Sequence, residues 1–366
     1  MKIPLLDMQA QIAPIREEID IAINKVIDSG KFILGDEVKM LEDELAKFCN
    51  VKYAVGVSNG TDAIILALKA LGIKEGDSVI CPSFTYYATA GAIARIGAVP
   101  VFADIDSKTY NISINSIRSI LRNTDDERRT TIKAIIPVHL YGQCAEMDEI
   151  MGIAKEYGLK VIEDTAQAFG ASYKGKRAAT IGGCGTVSFF PGKNLGALGD
   201  AGMILTNNAE AADKLRVLRN QGASPKNKYD HLYLGHNARL DTLQAAILRV
   251  KLKCIEAWNK KRAENAAYYN EKLKDTGITT PFTQQYNVHV YHQYVLRAQK
   301  QKEHIRQYLV DNGIDSRTYY PIPLHLQECF RYLGYKTGDF IESEKASQET
   351  FAIPVYPELT TEQMDY

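Results

Sequence analysis

Lys193 stands in the segment Ser188-Phe-Phe-Pro-Gly-Lys-Asn-Leu-Gly-Ala-Leu-Gly-Asp-Ala-Gly202, with glycines at 192, 196, 199 and 202. An arbitrary lysine is a solvated surface charge. This one follows an apolar strand, Thr186-Val-Ser-Phe-Phe, and lies among residues that let the backbone flex and approach a flat ring closely. Those are the needs of a lysine that holds a planar aldehyde as a Schiff base and then swings away to carry protons.

Asp164 ends the run Leu159-Lys-Val-Ile-Glu-Asp, and Gln167 comes three residues later. A carboxylate at the carboxyl end of a strand can pair with a pyridinium nitrogen and keep it protonated, so that the ring draws electrons from a carbanion; this points to pyridoxal 5'-phosphate as cofactor. Taken alone, Asp164 could equally cap a helix. Glu163 is the competing carboxylate, and strand alternation turns it to the other face. Gln167 could reach the ring hydroxyl. Val57-Ser-Asn-Gly-Thr-Asp62 precedes the apolar helix Ala63-Ile-Ile-Leu-Ala-Leu, so free backbone amides stand at a helix N-terminus, a cradle for phosphate. An Asn-Gly turn alone would read as a capped loop. Ser188, five residues before Lys193, offers a hydroxyl to the same phosphate. In Pro82-Ser-Phe-Thr-Tyr-Tyr, Tyr86 is the aromatic expected to stack on the ring, with Phe84 its competitor.

Short apolar runs alternate with helical stretches across the region that must position these groups. Tyr53-Ala-Val-Gly-Val, a helix over 61–71, Ser78-Val-Ile-Cys, a helix around 88–96, Val99-Pro-Val-Phe-Ala, Lys133-Ala-Ile-Ile-Pro-Val-His, a helix over 146–157 and Lys160-Val-Ile-Glu-Asp succeed one another in order. This rhythm predicts an α/β fold with a mostly parallel sheet covered on both faces, and ligands at the carboxyl ends of its strands. Met203-Ile-Leu-Thr adds a strand. Two amphipathic helices, broken by Gly30 and Gly35, precede the sheet over 14–48. One long helix is predicted from Leu240 through Glu256 to Leu273, linking a large domain, 1–245, to a smaller α+β domain, 246–366. In the latter, His289-Val-Tyr-His-Gln-Tyr-Val-Leu-Arg reads as a strand, 301–312 as a helix and Tyr319-Tyr-Pro-Ile-Pro-Leu-His as a proline-stiffened loop. Thr360-Thr-Glu-Gln is a capping box with little chain after it, so an incomplete C-terminus is expected.

The 366 residues exceed what one growing core holds. Lys plus Arg and Asp plus Glu both number 44, so no net field draws the chain to nucleic acid or anionic membrane. The start lacks a signal-peptide pattern and no run is long enough to span a bilayer, which predicts a cytoplasmic protein. Six scattered cysteines, with no Cys-x-x-Cys pair, are expected to be reduced and mostly buried; no metal site is expected. No Gly-x-Gly-x-x-Gly comes after the first strand, which argues against a nicotinamide dehydrogenase.

Six ordered motifs carry a resemblance over nearly the whole chain: Ser-Asn-Gly-Thr-Asp, Pro-Ser-Phe-Thr-Tyr, Glu-Asp-Thr-Ala-Gln, Ser-Phe-Phe-Pro-Gly-Lys-Asn-Leu-Gly, His236-Asn-Ala-Arg-Leu-Asp241 and Tyr320-Pro-Ile-Pro-Leu-His-Leu-Gln327. Together they resemble the DegT/DnrJ/EryC1/StrS family of nucleotide-sugar aminotransferases. The resemblance implies the fold type I of pyridoxal-phosphate transferases, a homodimer with active sites at the subunit interface, and amino transfer from L-glutamate to a keto sugar on UDP or dTDP, as in surface-polysaccharide or amino-sugar biosynthesis. It also implies that Lys193 holds the cofactor, Asp164 pairs with the ring nitrogen and Gln167 with the ring oxygen. Gly60, Thr61 and Ser188 would hold the phosphate, joined by Asn237 from across the interface. Arg239 would touch substrate or form an interface ion pair, and Tyr319, Tyr320 and His325 would line the sugar pocket. Family members with histidine in place of the lysine are dehydratases or deoxygenating enzymes, so Lys193 favours transamination. The Tyr-Pro-Ile-Pro-Leu-His loop, with Tyr229 and His231, looks like members acting at C3, including those that aminate 3-keto-uronic acids.

Overall fold

The computed structural model describes residues 1–366. Seven strands form the central sheet: β1 (Tyr53–Val57), β2 (Ser78–Pro82), β3 (Val99–Ala103), β4 (Ile132–Ile135), β5 (Lys160–Asp164), β6 (Cys184–Ser188) and β7 (Gly202–Thr206). Their order is β1-β7-β6-β5-β4-β2-β3. β7 runs antiparallel to both neighbours and every other pairing among β6, β5, β4, β2 and β3 is parallel. The fold is the α/β fold type I. Strands buried on both faces read as continuous apolar runs, which is why Ser78–Pro82 and Gly202–Thr206 are buried throughout. The helix Gly60–Ala70 buries every residue from Ala63 to Leu68, so it is apolar all round and sits inside the layer that covers the sheet.

The amphipathic pair before the sheet spans Arg16–Ser29 and Asp36–Cys49, and Gly30 ends the first in the left-handed conformation at φ 65°. Both pack against the helix Thr242–Leu252. That helix and Ile255–Lys272 replace the single helix expected from Leu240 to Leu273: the chain breaks at Lys253–Cys254. A division after residue 245 therefore cuts a helix that belongs with the N-terminal pair. The strand expected from His289 is shorter, Tyr294–Arg297, and pairs antiparallel with Thr350–Ile353. Helices Lys302–Asp311 and Ile341–Glu349 accompany this two-stranded sheet. Ile3 forms a parallel bridge to Ile314, so the first residues pack with the C-terminal part of the chain. Thr360 and Gln363 make a capping box that opens the short helix Thr361–Asp365. All six cysteines are free, four of them buried. No helix is long and apolar enough to cross a membrane.

Candidate active site

Strands β1, β2, β4, β5 and β6 end on one edge of the sheet, and the site is built from residues at and just beyond those ends. Asp164, the last residue of β5, is 4% exposed. Its Oδ2 accepts from Thr89 Oγ1 at 2.8 Å and its Oδ1 from the Ala166 amide at 3.2 Å. Burial pushes its carboxyl up; the Thr89 hydroxyl, the Ala166 amide and the Lys193 cation pull it back. Glu163 points to the opposite face, where its carboxylate accepts from His139 Nε2 and from the amides of Ala179, Ile181 and Gly182 at 2.7–3.0 Å. Glu163 thus holds a loop, and Asp164 alone faces the site.

Asn59 caps the helix Gly60–Ala70 through the Asp62 amide at 2.8 Å. The amides of Gly60 and Thr61, ahead of the first intrahelical bonds, have no acceptor in the protein. Gly60 lies so close to β6 that an added Cβ would fall 2.6 Å from Ser188 Cβ. Gly202 is equally constrained, since its Cβ would lie 2.5 Å from the Asn59 carbonyl oxygen. Two free amides and the Ser188 hydroxyl therefore converge at a helix N-terminus, which suits a phosphate dianion.

Lys193 occupies the loop between β6 and β7. Its amide donates to Phe190 O at 2.8 Å, and the turn closes on Gly196, where a Cβ would meet Pro191 O at 2.2 Å. Its Nζ donates to no protein group and is not sealed from solvent. Desolvation lowers the ammonium to about 8 from an ordinary 10.5, opposed by the Asp164 charge. A free, partly desolvated amine near a buried carboxylate is poised both as nucleophile and as base.

Gln167 is held on both sides: its Oε1 accepts from the Tyr141 amide and its Nε2 donates to Tyr320 Oη, each at 2.8 Å. One N–H of Nε2 remains for a ligand. Tyr141, in the left-handed region at φ 59°, also donates its hydroxyl to the Tyr319 carbonyl, so it braces the Tyr319–Tyr320 loop against the sheet edge. Tyr86 is 59% exposed with its ring 6.1 Å from that of Tyr320, whereas Phe84 is fully buried beside Tyr110; of the two aromatics, Tyr86 is the one open to a ligand. His325 is placed differently from its neighbours in sequence. It is 1% exposed, its Nε2 bonds Glu344 at 3.1 Å and its ring stands edge-on to Phe340, away from any open surface. Asn237 is exposed on a loop, and Arg239 reaches Asn220 Oδ1 at 3.3 Å. Sequence reading missed Thr89 and Tyr141: a threonine among small helical residues and a loop tyrosine carry no spacing signal.

The chain matches the DegT/DnrJ/EryC1/StrS aminotransferase family over residues 13–366. It belongs to that family. It is 47% identical to a pleiotropic regulatory protein of Geobacillus stearothermophilus, covering 100% of this chain and 96% of that protein. It is 43% identical to the UDP-2-acetamido-2-deoxy-3-oxo-D-glucuronate aminotransferase of Pseudomonas aeruginosa, covering 98% and 96%. The crystal structure of NtdA from Bacillus subtilis, with bound cofactor PMP, superposes with a TM-score of 0.90 at 33% identity over 100% of this chain and 83% of that one. The family member is an aminotransferase dependent on pyridoxal 5'-phosphate. Its residues fit that group: free amides and a hydroxyl for the phosphate, a buried carboxylate, a glutamine with a spare donor, and a lysine amine with no partner.

Proposed function

We propose that this enzyme moves an amino group from L-glutamate to the C3 keto group of a UDP- or dTDP-linked hexose, a 3-keto-uronic acid being one such acceptor. The observation that carries the reading is the unpartnered Lys193 amine opposite buried Asp164, on the edge where the Gly60, Thr61 and Ser188 cradle lies. The sugar class is supported by the P. aeruginosa relative, whose name specifies a 3-oxo sugar acid. When bound, the cofactor carries the amino group between substrates and its ring takes up the electron pair of the carbanion.

The chain's own residues divide the remaining work. Gly60, Thr61 and Ser188 would anchor the phosphate, joined by Asn237 from a second subunit. Asp164 would pair with the ring nitrogen and hold it protonated, its carboxylate fixed by Thr89 and the Ala166 amide. Gln167 would offer its spare N–H to the ring oxygen, and Tyr86 would stack on the ring. Lys193 would hold the cofactor and, once its amine is free, serve as the base for the α-proton of glutamate and as the acid that delivers a proton to the sugar carbon. An amine near 8 is roughly a quarter neutral at pH 7.5, whereas one at 10.5 is about a thousandth neutral. Tyr319 and Tyr320 line the sugar pocket, and Arg239 contacts substrate or closes the interface. The enzyme is read as a cytoplasmic protein of surface-polysaccharide or amino-sugar biosynthesis and as a homodimer, the last supported by the apolar side chains of Phe32, Phe190, Leu232 and Leu234 exposed on one chain.

Mixing the holoenzyme with glutamate should convert the cofactor's visible band, and subsequent UDP- or dTDP-linked 3-keto hexose should restore it faster than the 4-keto isomers. A band indifferent to glutamate overturns the transaminase reading. The G. stearothermophilus relative's name raises a regulatory alternative; a biological output unchanged by Lys193→Ala would favour it.

A further inference from the structure

The residue after the lysine is more tightly held than the lysine itself. Asn194 is 3% exposed, and its Nδ2 donates to Asn259 Oδ1 at 2.7 Å and to the Val290 carbonyl at 3.0 Å. Asn259 in turn donates Nδ2 to the Phe169 carbonyl at 3.1 Å, into a space that exists only because Gly170 lacks a Cβ, which would lie 2.4 Å from that nitrogen. Two backbone carbonyls thus fix which way both amides face. Asn194 Oδ1 is left as an acceptor, and His292 Nδ1 lies 3.2 Å from it. His292 must therefore carry its proton on Nδ1 and donate it. Its Nε2 has no protein partner and keeps some contact with solvent.

His292 arrives from the second domain. Its segment is stitched to the loop below Gln167, the Val290 amide donating to Gly142 O at 3.0 Å and the Gln293 amide to Tyr141 O at 3.3 Å. The ring is 8% exposed and near enough to Lys193 and Arg262 to feel both charges. Burial holds the imidazole well below its ordinary value, so it stays neutral and its single Nδ1 proton is committed to Asn194.

We propose that His292 is a positioning residue for Lys193, acting from the second domain through one hydrogen bond to Asn194. The lysine needs a mobile side chain on a stationary backbone, and the glycines around it do not supply the stationary part. The Asn194 bonds do. The inference rests on Lys193 being the amine that holds the cofactor.

The test starts from apoenzyme. Pyridoxal phosphate is added, borohydride stops the reaction at intervals, and peptide mass measures how much cofactor has become fixed to Lys193. His292→Phe keeps the ring volume without a donor and should slow fixation about tenfold, the worth of one hydrogen bond. His292→Asn places an amide N–H where Nδ1 was and should stay within about threefold of wild type, whereas His292→Gln places it where Nε2 was and should be slow like His292→Phe. Should His292→Phe not fold, the Asn and Gln variants alone decide. Equal rates for those two, or a faster Gln variant, overturn the proposal, as does wild-type fixation in His292→Phe. No fixation at Lys193 in the wild type overturns the reading of the site itself.

Discussion

Adjacent carboxylates at the end of β5 diverge because a strand turns successive side chains to opposite faces. That alternation was legible in the sequence and separates Asp164 from Glu163. The Thr89 hydroxyl on Asp164 was not, because it comes from another helix and depends on a distance of 2.8 Å that no spacing encodes. Lys193 offers a direct energetic test. In the cofactor-free protein its ammonium titrates near 8 instead of 10.5. A base depressed on folding costs stability wherever the unfolded chain holds the extra proton: fully below pH 8, and less and less as pH rises to 10.5. Lys193→Met should therefore stabilise the apoprotein at pH 7 by at most roughly 3 kcal/mol. The side chain is only half-buried, and Asp164 loses a neighbouring cation, so the gain falls below that ceiling. Urea melts at pH 7 and pH 9.5 should show it shrinking; a gain independent of pH would mean that the partly desolvated ammonium is not its source.

At the level of elements, the strand and helix rhythm from Tyr53 to Asp164 was readable because buried parallel strands are short, apolar and punctuated. The break at Lys253–Cys254 was not, since neither glycine nor proline marks it. Residues 289–293 looked like strand from their alternation, yet their backbone bonds go to Tyr141 and Gly142 instead of a ladder. Helix placement at the phosphate cradle leaves no room for a methyl group. Gly60→Ala should push the helix start away from Ser188 and weaken cofactor binding about tenfold or more, by fluorescence titration, with melting little changed. Unchanged affinity would mean the cradle lies elsewhere. Tyr141→Phe deletes the donor to the Tyr319 carbonyl. It should raise the sugar KM by about tenfold while the glutamate half-reaction keeps its rate; an equal loss in both halves would assign Tyr141 to the cofactor instead.

Across the whole molecule, the loop that carries Leu234 and Asn237 is the one that the proposed dimer would cover. Leu234 is 91% exposed, although the backbone around it is pinned by bonds from Gln221 N to His236 O and from Leu232 N to Gly222 O, both 2.8 Å. With Leu232 also exposed beside it, the proposed second subunit would cover this apolar surface. Leu234→Asp should shift the sedimentation of the protein from dimer to monomer at micromolar concentration and lower activity in step, because Asn237 then reaches no second site. A dimer that persists excludes this loop from the interface. The bridge between Ile3 and Ile314, with Ile3 N bonded to Gly313 O at 2.9 Å, has a temporal meaning as well. During synthesis Ile3 cannot form this bridge until Ile314 has left the ribosome, so the contact that ties the first residues down is among the last the chain can make. All seven strands of the central sheet, ending at Thr206, emerge before Ile314 does.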